Sequence, residues 1–142
     1  MAMLRPMKRS IALLVALVLL AGCDITSRDA TIDLPGTSWV LAELDGAAPV
    51  GETTPTIAFD DQGGVTGTGG CNTYNGEVTI DGSDLTFSPL ATTQMFCEDV
   101  ADQEQAFLTA LQDVTSYTVD DEGRLVLQDG ATLTFEVAAE AQ

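Results

Sequence analysis

The chain has 142 residues, of which 22 are acidic, five are basic and none is histidine, giving a formal charge of −17 at neutral pH. That balance excludes a basic groove for nucleic acid, histidine-based catalytic triads and zinc sites completed by histidine. The charge is also unevenly placed, because Arg5, Lys8 and Arg9 precede every acidic residue in the chain.

Those three cations open a leader. Ile11 through Leu20 is an uninterrupted apolar run, closed by the small residues of Leu20-Ala21-Gly22-Cys23. The run is shorter than the roughly 20 apolar residues a membrane span needs and fits the apolar segment of a signal peptide. Leu-Ala-Gly-Cys resembles a bacterial lipobox, in which the cysteine is lipidated and becomes the mature N-terminus. Residues 1–22 are therefore expected to be a lipoprotein signal peptide, and 23–35 a lipidated N-terminus and flexible tether. Cys23 is the expected lipidation site, anchoring the protein in a membrane of the cell envelope with its domain facing the periplasm or exterior. Asp24, which follows, resembles an inner-membrane retention signal of enteric lipoproteins, a rule that does not extend to all bacteria, so the choice of membrane stays open.

Without the leader, Arg28 and Arg124 face 22 acidic residues, a formal charge of −20. Such an excess repels anionic membrane surfaces and either attracts a basic partner or forms a solvated surface suited to high salt. The scattering of the acids favours the second.

Residues 36–137 are long enough for one small domain, with 138–142 as a tail. Strand patterns recur in it, separated by turn residues. Trp39, Leu41 and Glu43 alternate with Val40, Ala42 and Leu44. Ile57-Ala58-Phe59 ends at Asp60-Asp61-Gln62-Gly63-Gly64. Val78 and Ile80 lead to Asp81-Gly82, Leu85-Thr86-Phe87 to Ser88-Pro89, and Tyr117 and Val119 to Asp121-Glu122-Gly123. Leu125-Val126-Leu127 turns at Asp129-Gly130 into Leu133-Thr134-Phe135, the clearest hairpin. One segment breaks the rhythm: from Glu98 to Val114, Val100, Phe107, Leu108, Leu111 and Val114 form a helical stripe. Glu98, Asp99, Asp102 and Glu104 crowd its start, where carboxylates oppose the helix dipole. The pattern is mainly β with one helix: a small antiparallel β-barrel or strongly curved sheet.

The densest glycine run, Gly63 to Gly76, reads as a bent strand entering a tight corner. Val65, Thr66 and Thr68 keep the alternation, while Asn72 and Asn75-Gly76 suit the corner itself. A P-loop is excluded, since the Lys-Ser/Thr ending is missing and no helix pattern follows.

Order and spacing of several motifs resemble the META domain family, whose members include HslJ-like bacterial heat-shock lipoproteins. The motifs are Gly36-Thr37-Ser38-Trp39-Val40-Leu41, Pro55 to Phe59, Gly67 to Gly76, Leu90 to Cys97 and Glu104 to Leu111. The Gly-Cys-Asn and Thr-x-Met-x-Cys pair carries most of the specificity. The resemblance implies a small antiparallel barrel interrupted by a helix, and an envelope role in heat-shock and novobiocin tolerance. Trp39, Gly70, Asn72, Tyr74, Gly76, Thr93 and Met95 are its motif residues here, with structural or binding roles; a packed strand accounts for Thr92 to Met95 as well as a ligand pocket does.

Cys71 and Cys97 remain once Cys23 is assigned to lipid, and in an exported domain an even pair is most simply a disulfide. No CxxC points to redox work. Asp81-Gly82-Ser83-Asp84 lacks the alternating ligands of a calcium loop. No carboxylate pair stands out as an acid–base couple, so no catalytic residue, metal or cofactor is assigned. The expectation is a non-enzymatic, tethered module acting on an envelope protein. A small-ligand or lipid-binding barrel is one alternative, and an inhibitor of a cationic, lysozyme-like enzyme another. Trp39, Phe59, Phe87, Phe107 and Phe135 supply enough aromatic volume to fill the core, which argues against a large cavity.

Overall fold

A computed structural model describes residues 32–139, so the leader and Cys23 lie outside the described residues. In chain order the elements are β1 (Ser38–Leu44), β2 (Thr56–Phe59), β3 (Gly64–Thr68), β4 (Thr73–Asp81), β5 (Asp84–Phe87), β6 (Ala91–Thr92), α1 (Ala101–Asp113), β7 (Ser116–Val119), β8 (Leu125–Gln128) and β9 (Leu133–Val137). Every pairing is antiparallel. Eight strands run β3-β2-β1-β9-β8-β7-β5-β4, and a β3–β4 ladder of five registered pairs joins the two ends. The sheet is a closed barrel.

Closure depends on β4, which is long enough to serve two neighbours on one side. Its second half pairs with β5 from Val78↔Phe87 to Asp81↔Asp84, while its first half takes the short β6 through Tyr74↔Thr92 and Asn75↔Ala91. The narrowest seam is β5–β7, with one registered pair, Asp84↔Ser116, flanked by bonds from Leu85 N to Thr115 O and from Tyr117 N to Ser83 O.

Alternation drives the core. Trp39 and Leu41, Ile57 and Phe59, Leu125 and Leu127, and Leu133 and Phe135 are buried at every second position of their strands. In β1 the rhythm ends at a bulge between Leu41 and Glu43, so Glu43 does not continue the inward row. Phe107 of α1 enters between Tyr74 and Phe135, with ring centroids at 6.0 and 6.2 Å. Those partners sit on β4 and β9, four strands apart by either route round the ring. Phe107 therefore spans the interior, and α1 plugs the barrel with a face that also buries Ala110 and Leu111. Of the expected aromatic core, Trp39, Phe59, Phe107 and Phe135 are buried and Phe87 packs at the margin.

Four local expectations need correction. Asn75 and Gly76 lie inside β4, because the ladder to β3 continues through Thr66↔Asn75 and Val65↔Gly76; the corner is Gly69 to Asn72. Thr92 to Met95 is not a packed strand, since β6 stops at Thr92 and the segment from Ala91 to Phe96 is exposed. The helix starts at Ala101, three residues later than its acidic run, because Cys97 to Val100 forms a turn closed by Val100 N donating to Cys97 O. Leu34, placed in the tether by its sequence, is only 1% exposed and belongs to the core.

Candidate functional site

The corner between β3 and β4, the segment after β6 and the first turns of α1 meet around one side chain, Asn72. Its Oδ1 accepts from Met95 N at 2.6 Å and from Thr93 Oγ1 at 2.9 Å. Its Nδ2 donates to Met95 O at 2.9 Å and to Glu104 Oε1. An amide offers two donors and one carbonyl oxygen with two lone pairs, so all four capacities are used. Asn72 is 7% exposed, and its amide is saturated by its own protein. The local sequence explains why it points inward: Gly70 has φ +115°, turning the chain, and Gly69 N donates to Asn72 O at 2.8 Å to close the corner.

Glu104 holds the same corner from α1. Its Oε2 accepts from Cys71 N at 2.8 Å and Asn72 N at 2.6 Å. A side chain at position 69 would collide with it: an added Cβ would lie 2.7 Å from Glu104 Cγ. Gly69 thus makes room for the carboxylate. Burial pushes the Glu104 carboxyl up, but the donors of Asn72 and Cys71 outweigh it, and the pKa lies below the ordinary glutamate value. Glu104 was expected among the acids at the helix start. It is instead a buried acceptor, and one signal was available: it falls four residues after Val100 and three before Phe107, within the apolar stripe.

The remaining motif residues divide between scaffold and surface. Tyr74 is buried and its hydroxyl crosses β3 to donate to Thr56 O on β2 at 2.6 Å, a path left open by Gly67; burial pushes its phenol pKa up. Gly76 faces Leu90 and Ser88, with 2.8 Å from a would-be Cβ to Leu90 Cδ2. Trp39 lies on β1, two strands from β3, and its indole donates to Thr37 Oγ1 at 2.8 Å. Thr93 accepts from Thr73 N at 3.1 Å as it donates to Asn72. Met95 differs from all of these: its backbone is locked by Asn72 while its side chain stands in solvent.

Cys71 and Cys97 are joined, with Cα atoms 5.9 Å apart and a sequence separation of 26. The bridge fastens the end of the exposed segment to the corner. Closing a loop of that length adds about 3.5 kcal/mol on the chain-entropy description. Reduction, or a double Cys71→Ser, Cys97→Ser change, is expected to lower unfolding free energy by about 3 kcal/mol. Urea titrations with and without dithiothreitol check this, and coincident midpoints would contradict it.

Beside the bridge is a cleft of about 240 Å³, walled by Met95, Phe96 and Cys97 on one side and by Ala101, Gln105, Leu108 and Thr109 of α1 on the other, with Cys71 and Glu104 also lining it. Met95 is 63% and Phe96 81% exposed. A larger cleft of about 610 Å³ lies between Ile32, Thr37 to Trp39 and Val137 to Ala139, and Trp39 is the only motif residue lining it. Among the described residues no group of three or more Cys, Asp or Glu is placed to hold a metal ion.

The META domain family model matches residues 32–140, spanning the whole described barrel. The chain belongs to the META domain family. A second match, to the prokaryotic membrane lipoprotein lipid attachment site, covers residues 7–23 and ends on Cys23, marking the chain as a membrane-anchored lipoprotein of the envelope. No match to a curated protein is significant. Among solved structures, an NMR structure of a protein from Burkholderia xenovorans is 28% identical, with a TM-score of 0.62 over 75% of this chain and 85% of that one. A second NMR structure, 23% identical, superposes with a TM-score of 0.61 over 75% of this chain and 96% of its own, a likeness of fold. Within this META domain, the specific Gly-Cys-Asn and Thr-x-Met-x-Cys motifs are the two halves of one tied corner.

Proposed function

We propose that this META domain is a lipid-tethered, non-enzymatic module that holds a protein partner in the cell envelope, with a stress-protective role like that associated with HslJ-like proteins. The observation that carries the reading is the exposed Met95–Phe96 pair. Its backbone is fixed by Asn72 on one side and by the disulfide on the other, so two large apolar side chains are displayed and not merely loose. Preorganised apolar anchors beside a cleft are what a protein interface uses for most of its binding energy. A carrier barrel would need interior room for a ligand, and Phe107 with its neighbours occupies that interior. An inhibitor of a cationic enzyme is one member of the interaction class.

A photoreactive phenylalanine at position 96 of the lipidated protein, illuminated in its own envelope, is expected to give one adduct of defined mass. The same residue at Val50, which is also exposed, should give none. Equal labelling at both positions, or none at either, would sink the reading. The stress role is tested separately: a deletion strain should become sensitive to heat and novobiocin, and Phe96→Ser should fail to restore tolerance where the wild type succeeds.

A further inference from the structure

The acids of this domain are scattered, but one carboxylate is not on the open surface. Glu104 lines the cleft beside the disulfide and is 7% exposed. Its three hydrogen bonds come from neutral donors, Cys71 N, Asn72 N and Asn72 Nδ2, so its charge has no countercharge there. A carboxylate has about four acceptor sites, and Oε1 makes a single bond. The one cation among the described residues, Arg124, is spent on Asp120 and Glu122 at 2.7 and 2.9 Å. Next in sequence to the lining residues Cys97 and Ala101, Glu98, Asp99 and Asp102 are exposed and make no ion pair among the described residues. The walls supplied by Met95, Phe96 and Leu108 are apolar.

We propose that this cleft takes a lysine or arginine side chain presented by a basic polypeptide segment. The aliphatic stem packs on Met95, Phe96 and Leu108, and the cationic head faces Glu104, with the exposed Glu98, Asp99 and Asp102 of the adjoining chain adding negative charge. Phe96 offers its ring face to the same cation. The inference rests on the interaction reading above and adds the chemistry of the partner. A long side chain suits the site because its stem is apolar and its head charged, matching wall and floor in turn.

The test uses the mature lipidated protein in detergent, with a fluorescent peptide of lysine and serine and a matching peptide of glutamate and serine. Anisotropy should show binding of the lysine peptide alone, weakening steeply from low to physiological salt. Phe96→Ser, a surface change that spares the fold, should weaken it about tenfold. The combined Glu98→Gln, Asp99→Asn, Asp102→Asn variant should weaken it at least as much. An equal neutralisation elsewhere, Asp61→Asn, Asp121→Asn, Glu136→Gln, should leave most of it. Equal losses from the two triple variants would reduce the effect to diffuse charge and overturn the proposal, as would binding indifferent to Phe96→Ser. Displacement by tetramethylammonium at the same concentration as by unlabelled peptide would assign the cleft to small cations and overturn the polypeptide occupant. Absence of peptide binding alongside a position-96 adduct in the envelope would end the cationic chemistry but leave the interaction reading standing.

Discussion

Asn72→Ala is expected to cost the domain about 3–5 kcal/mol of unfolding free energy, because it strips partners from one buried and three part-buried groups at once. Met95 N, Met95 O, Thr93 Oγ1 and Glu104 Oε1 each lose their bond to the amide. Each group left dry and unpaired costs about 1–3 kcal/mol, and water entering from the exposed side of the segment offsets part of the sum. Against the 5–15 kcal/mol typical of a small domain this is a large share. Asn72→Asp should do worse despite its near-identical shape, since it replaces the two donors with a carboxylate oxygen facing Met95 O and the Glu104 carboxylate. Thr93→Val, which removes two bonds at an exposed residue, should cost about 1–2 kcal/mol. Urea denaturation of the three variants under non-oxidising and non-reducing conditions ranks them, and a ranking with Thr93→Val worst would remove Asn72 from the centre of the corner.

The hairpins were legible because their information is local. Asp81-Gly82-Ser83-Asp84 and Asp129-Gly130 each place turn formers between alternating strands, and both turns are where the residues put them, with Gly82 at φ +62° and Asp129 at φ +85°. The helical stripe from Val100 to Val114 was legible for the same reason. What was not legible depends on partners far along the chain. Asn75-Gly76 has the local chemistry of a turn, but a five-pair ladder to β3 outweighs it and holds both residues extended. Thr92 to Met95 carries strand-like residues, yet the only free ladder beside it is the short reach of β4 left open by β5. Closure of the barrel is likewise a long-range event, set by the β3–β4 register. In the site, the cysteines, Asn72 and Thr93 stood out by their resemblance to family motifs, whereas Glu104 read as an ordinary acid at a helix start. Its burial is decided by Gly69 and by two backbone donors some thirty residues away.

Glu104→Gln is the sharper probe, because it keeps shape and removes charge. A glutamine can turn its oxygen to the backbone donors of Cys71 and Asn72, but its amide nitrogen then faces Asn72 Nδ2, donor against donor. Turning it round loses the two backbone bonds instead. Either way the variant should be less stable than the wild type at neutral pH by about 2–4 kcal/mol. The difference should also depend on pH, with a definite sign. The Glu104 pKa is lower in the folded protein than in the unfolded chain, so its charged form stabilises the fold above the unfolded value, about 4.3. That contribution is lost as pH falls from there through the folded pKa, where the native carboxylate takes up its proton. Wild-type stability should therefore fall in this acid window faster than that of Glu104→Gln, and the two curves should converge below it. The other acids titrate in both proteins and cancel in the comparison. Parallel curves from neutral pH into the acid range would mean that the corner needs only the shape of residue 104, and the charge placed beneath the Met95–Phe96 cleft would then have no part in holding it.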